Sequence, residues 1–251
     1  NYVYDDCGHG THVAGICSGS GANSNGKYRG IAPESNIVMI KALDFEGKGT
    51  ASDVLTGIQW IADNCKKYNI RILNMSIGAG ITNTKDPLVR AAEILWDMGI
   101  VVVAAAGNNG PQKGTISSPG ISKKIITVGS ADDINVPEND IGKSYSGRGP
   151  TKECVIKPDV VAPGTNIISC LCEDNKSNNY YKSLSGTSMS TPIVSGAIAL
   201  LLEKAPDLKP DDIKFMLKQS CHNLECSPNR QGWGLLDIEN LLNREVVYVR
   251  K

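Results

Sequence analysis

The sequence has no excess of charge of either sign. Lys plus Arg and Asp plus Glu each total 26, giving a formal net charge of zero. That balance offers no electrostatic reason to expect nucleic acid or an anionic membrane as a partner. Long hydrophobic runs are also missing. The longest, Ile193–Leu202, is interrupted by Ser195 and Gly196 and is too short to span a bilayer. There is no signal-peptide pattern, no internal repeat, no low-complexity tract and no initiator Met. No linker-like stretch divides the chain, so residues 1–251 are expected to form a single domain.

What is present suits a globular protein. The chain has 251 residues, 41% of them apolar, ample for a buried core. Cysteine occurs eight times: Cys7, Cys17, Cys65, Cys154, Cys170, Cys172, Cys221 and Cys226. A chain this long does not need a disulfide scaffold, so free thiols in a reducing compartment are the expectation. Cys221 and Cys226 are spaced to close a local loop, and Cys170, Cys172, Cys221 and His222 can be written as a metal cluster. Neither spacing matches a standard zinc pattern, and no metal or other cofactor is expected.

Short β-branched runs alternate with longer amphipathic stretches. Expected strands are Asn36–Ala42, Ile72–Met75, Ile100–Ala105, Ile125–Ser130 and Asn166–Ser169, apolar enough to be buried on both faces. Expected helices are Thr11–Ser18, Ala51–Lys67, Asp86–Met98, Ser188–Lys204, Pro210–Gln219 and Asp237–Asn243. Pro210, followed by Asp211 and Asp212, has the proline and negative charge that a helix N-terminus favours. The alternation predicts an α/β fold: a three-layer, mostly parallel twisted sheet with helices on both faces. In such sheets function sits on loops beyond the strand C-termini.

Three stretches there carry chemistry. In SLSGTSMSTPIVSGAIALLL, Gly186-Thr187-Ser188 ends a loop and opens an apolar helix. A serine at that point lies beside unpaired N–H groups and the positive helix end, where developing negative charge is stabilised. Pro192 lacks the N–H that would pair with the carbonyl of Ser188, so local geometry there is unusual. Alternatively, Thr187 or Ser188 is an ordinary N-cap. In GHGTHVAG, His9 is flanked by glycines at a helix start, and His12 lies one turn on with the character of a packing residue. The absence of a Glu between them excludes the zinc-protease pattern H-E-x-x-H. In IVVVAAAGNNG, a buried strand delivers Asn108 to its C-terminal tip, where an amide can donate to an oxyanion. Asn108-Asn109-Gly110 also reads as a simple turn.

Together these motifs resemble one family in order and wording: the subtilisin-like serine proteases, or subtilases. The matching text is HGTHVAG around His9, LNMSIG at Leu73–Gly78, AAAGNNG around Asn108, KPDVVAPG at Lys157–Gly164 and SGTSMSTPIVSGAIAL around Ser188. SGSGANSNGKYRGIAP is similar to bacterial members, often cytoplasmic, that lack a calcium-binding loop at this point. The resemblance implies a serine endopeptidase acting on peptide or protein substrates, with Ser188 as nucleophile and His9 as general base and acid. Asn108 and the N–H of Ser188 would form the oxyanion hole. Gly47-Lys48-Gly49 and Ser76-Ile77-Gly78 would clamp an extended peptide by strand addition. Ala104, Ala105, Ala106 and Gly107 would wall the pocket for the residue before the scissile bond, with Ser117 as its floor. Small walls and an uncharged floor suit a medium or large apolar side chain.

The resemblance departs at one place. The family's third catalytic member is an Asp at the end of the first core strand, roughly thirty residues before the His. Only eight residues precede His9 here, and Asp5 and Asp6 are too close to it in sequence, so they are expected to be capping or loop carboxylates. The orienting Asp is therefore expected upstream of Asn1, on a strand missing from residues 1–251, with a propeptide before it. The 1–251 stretch alone is expected to be almost inactive. Cys7, two residues before His9, is expected to expose the site to thiol reagents if it faces the cleft. Two other readings compete. One is a pseudoprotease that grips peptides without cutting, against which the intact His9, Asn108 and Ser188 argue. The other is an α/β-hydrolase, but Gly186-Thr187-Ser188-Met189-Ser190 lacks the last glycine of G-x-S-x-G.

Overall fold

Apolar β-branched runs bounded by turn residues make the centre of the molecule. In the computed structural model, which describes residues 4–80, 83–132, 134, 144–172 and 179–249, four strands form a parallel sheet in sequence order: β1 (Ile72–Met75), β2 (Val101–Ala105), β3 (Ile126–Ser130) and β4 (Val160–Ala162). Val101, Val102 and Val103 of β2 are fully buried, each contributing about 1.5–3 kcal/mol of apolar burial. A two-stranded antiparallel hairpin, β5 (Ile167–Cys170) and β6 (Tyr181–Leu184), lies apart from this sheet. The expected strand Asn36–Ala42 joins no sheet among the described residues; Ile37, Val38 and Met39 are exposed while Ile40 and Ala42 still pack on the core. β-branched composition supplies the extended conformation, but a strand also needs a partner to pair with. Correspondingly, among the described residues β1 pairs with β2 alone, and Ile72, Leu73 and Asn74 are only half-buried.

The helices start where local chemistry favours it. The helices are α1 (His9–Ser18), α2 (Ala51–Asn64), α3 (Pro87–Asp97), α4 (Thr187–Lys204), α5 (Pro210–Ser220), α6 (Pro228–Gln231) and α7 (Ile238–Asn243), with a short 3₁₀ turn at Ala22–Ser24. Thr50 and Asp53 form a capping box at α2, and Asp86 caps α3 just before Pro87. The arrangement is three-layered: α4 lies against all four sheet strands with α1 and α7 packed on it, while α3 packs over β2 with α2 against it. α4 is buried almost all round, as its apolar composition demands. Among the described residues, no helix is long and apolar enough to cross a membrane. The eight cysteines are free thiols.

One polar cluster is buried within this core. Lys157, in KPDVVAPG, has no exposed surface; its Nζ donates to the carbonyl of Ile125 (3.0 Å), to Thr127 Oγ1 (2.9 Å) and to Asp159. Lys214 Nζ donates to the carbonyls of Lys123, Lys124 and Ile125 at 2.9–3.0 Å and lies 3.5 Å from Asp159 Oδ1. Burial brings the Lys157 amine down to about 8, against the opposing pull of Asp159. The cluster fixes the segment between Ser117 and β3 to the start of β4.

Candidate active site

The C-terminal ends of β1 and β2 and the N-terminus of α4 meet at one place. Ser188 is the second residue of α4, a position whose N–H has no acceptor within the helix. Its carbonyl has also lost its helical partner, because Pro192 has no N–H. Ser76, just past β1, supplies the replacement: its hydroxyl donates to Ser188 O at 2.8 Å, and Ser188 Oγ donates back to Ser76 O at 3.1 Å. This reciprocal pair seats the start of α4 on the edge strand.

Asn108 follows β2 and is held by Thr187. The Thr187 N–H and hydroxyl both donate to Asn108 Oδ1 at 3.0 Å, and the N–H of Gly107 donates to Thr187 Oγ1 at 3.2 Å. With Oδ1 engaged twice, Nδ2 is the group left to face outward. A Cβ on Gly186 would come within 3.1 Å of that Nδ2, and Gly186 has φ +152°, so only glycine suits the position. Thr187 is buried and fixes the Asn108 amide, a contact that sequence reasoning, treating it as an N-cap candidate, did not foresee. Its signal was its place between Gly186 and Ser188.

His9 opens α1, after Gly8 in the left-handed conformation (φ 83°). α1 packs against α4 and β5, which brings the histidine's helix to the serine's. The His9 ring makes no hydrogen bond among the described residues, and the Ser188 hydroxyl is turned to Ser76. Burial pushes the His9 imidazole below its ordinary value, opposed by the negative charge of Asp5. It is therefore neutral, and able to accept a proton, at neutral pH. His12 is a packing residue, as expected: it is buried, and its Nε2 lies 3.1 Å from Ile167 O and 2.9 Å from Lys182 O, tying α1 to the hairpin.

Asp5 is a capping carboxylate. Oδ1 accepts from the N–H groups of Cys7 (3.1 Å) and Gly8 (2.8 Å), while Oδ2 accepts from Thr11 N–H (2.8 Å) and its hydroxyl (2.6 Å). Burial alone would raise its pKa, but these donors outweigh burial and bring it to about 2. Asp6 pairs with Lys41 on the surface at 2.6 Å. Both carboxylates thus take the roles expected from their closeness to α1.

The expected peptide-binding segments line the same region. Ala79 N–H donates to Ser118 O and Ser117 N–H to Ala106 O, so Ser76-Ile77-Gly78, Ala104–Gly107 and Ser117 are knitted together. A Cβ on Gly107 would stand 2.1 Å from Ser117 Oγ, and one on Gly78 would stand 3.1 Å from Ser117 Cβ. Ser117 therefore fills the space that these two glycines leave, and Asn109 Nδ2 donates to its hydroxyl at 3.2 Å. Gly47-Lys48-Gly49 sits in a tight turn in which Asp44 N–H donates to Lys48 O. A Cβ on Gly47 would lie 3.3 Å from Cys7 Sγ, so this turn abuts the approach to His9.

Comparison with known proteins follows the same lines. A profile described as the Subtilase family matches residues 1–234. Serine protease AprX of Bacillus subtilis (strain 168) is 44% identical over 94% of this chain, which spans 58% of the length of that relative. Subtilisin DY of Bacillus licheniformis is 36% identical, with 95% of this chain and 79% of that protein covered. Among solved structures, Sphericase superposes with a TM-score of 0.79 at 28% identity, covering 94% of this chain and 79% of its own.

Proposed function

Because this chain belongs to the subtilase family, we propose that residues 1–251 form one catalytic domain of a serine endopeptidase. The reading is carried by one observation: Ser188, at the open N-terminus of α4, directly follows Thr187, whose N–H and hydroxyl fix the Asn108 amide. A hydroxyl next to two such donors has its place of reaction already polarised. In catalysis the Ser188 hydroxyl leaves Ser76 O and turns to His9, which takes its proton as Oγ attacks the peptide carbonyl. The oxyanion accepts from Asn108 Nδ2 and Ser188 N–H. His9 then protonates the leaving amine, and water cleaves the acyl-enzyme by the reverse sequence.

The substrate is an extended peptide pairing with Gly47–Gly49 on one side and Ser76–Gly78 on the other. The Ser117 side chain raises the pocket floor, which suits a medium-sized apolar side chain. Asp5 does not orient His9, since both of its oxygens are committed to the cap. Labelling of the full-length protein by a fluorophosphonate tests the reading. Wild type should label, while Ser188→Ala should not and His9→Ala should label orders of magnitude more slowly. Labelling that persists in Ser188→Ala refutes the assignment. Peptide binding without labelling supports the non-cleaving alternative.

A further inference from the structure

We infer that Asn74 and Ser195 are positioning residues for the nucleophile, acting through Ser76; the inference rests on Ser188 being that nucleophile. The argument starts from the hydrogen bond that α4 forgoes at Pro192. Ser188 O is served by Ser76 Oγ, and a hydroxyl has a single proton to give. A second donor on Ser76 Oγ keeps that proton turned toward Ser188 O. Asn74 Nδ2 does so, at 3.0 Å. An amide turned over would present its oxygen instead and draw the Ser76 proton away from Ser188. Ser195, buried in α4 two turns beyond Ser188, disfavours this: its hydroxyl donates to Asn74 Oδ1 at 2.8 Å, nearer than its other acceptor, Thr191 O at 3.2 Å. A chain of donors thus runs Ser195 to Asn74 to Ser76 to Ser188 O, every step in the same direction. Ser76 and Ser195 are only 6% and 1% exposed, so water does not substitute readily for a missing member. Neither Asn74 nor Ser195 belongs to the peptide-binding segments. Their effect falls on where Ser188 stands, and so on turnover.

The test uses the full-length protein carrying Ser195→Ala, Asn74→Asp or both. Aspartate keeps the volume of Asn74 but has two acceptor oxygens, so it takes the Ser76 proton. Fluorophosphonate titration counts reactive sites, and steady-state cleavage of a chromogenic peptide gives kcat and KM per titrated site. Each single variant should lose about tenfold in kcat with KM unchanged, the size of one hydrogen bond lost on the way to the transition state. The double variant should be no slower than Asn74→Asp, because the members act in series. A merely structural role would lower the number of titrated sites and leave kcat per site intact, and that result overturns the inference while Ser188 labelling stands. Absence of Ser188-dependent labelling in the wild type overturns the protease reading together with it.

Discussion

Replacing Asp5 with Asn separates a capping carboxylate from a catalytic one. The folded pKa is about 2 against an ordinary 3.8, a gap worth about 2.5 kcal/mol at roughly 1.4 kcal/mol per unit. Asp5 is only partly buried, and solvent screening reduces this to about 1 kcal/mol, the usual value of an N-cap. Because the folded value is depressed, the stabilisation is fully present above about pH 4 and is lost as pH falls toward 2; roughly half is gone at pH 3. Asp5→Asn should therefore lower Tm by about 2–4 °C at pH 7 in a chain of this size, and the gap from wild type should narrow at pH 3. Asp5 also raises the His9 pKa, so its loss should move the acidic limb of the kcat/KM profile to lower pH. The turnover itself should fall by less than about tenfold. Loss of the triad carboxylate costs about 3 × 10⁴, the figure for subtilisin itself. A thousandfold drop in kcat for Asp5→Asn, or an unmoved Tm and acidic limb, would refute the reasoning.

Other substitutions probe the remaining parts. Thr187→Val keeps the side-chain shape but removes one donor to Asn108 and leaves Gly107 N–H without its acceptor; kcat on a peptide substrate should drop about tenfold with KM unchanged. Lys157→Met leaves Asp159 with Lys214 at 3.5 Å and Thr127 N–H, and should cost about 2–4 kcal/mol by urea titration at pH 7. The wild-type Lys157 amine is depressed to about 8, so unfolding free energy should gain a rising component between about pH 8 and 10.5 that Lys157→Met lacks. Ser117→Gly empties the space between Gly78 and Gly107, and should raise kcat/KM for Phe over Ala before the scissile bond by at least about tenfold.

Much of the architecture was legible because buried parallel strands and amphipathic helices leave strong periodic signals. β1 matches its expected bounds, and β2, β3 and β5 deviate by a residue or two at their ends. Val160–Ala162 was missed as a strand because three residues between Asp159 and Pro163 are too few to show a period. Tyr181–Leu184 was missed because its half-exposed residues depend on β5 for their conformation. Asn36–Ala42 fails as a strand for the opposite reason: its composition is right and its partner is not among the described residues. At the site, Ser188, Asn108 and His9 stood out through glycine-flanked positions and motif wording. Thr187, Asn74 and Ser195 did not: Thr187 works through Asn108, 79 positions away, and Asn74 and Ser195 through each other, 121 positions apart. Pro192 was the exception, a gap in the helix ladder visible in the sequence, although its remedy, Ser76, was not.

That proline has a mechanical consequence. An uninterrupted helix aligns its own first turn, whereas α4 borrows its alignment from a strand at the margin of the sheet. Whatever docks along that margin, or tugs on it, would be felt directly at the Ser188 hydroxyl. Under the proposed function, reactivity at residue 188 is thereby indexed to the state of the sheet's border, and a fluorophosphonate would gauge how that border is occupied.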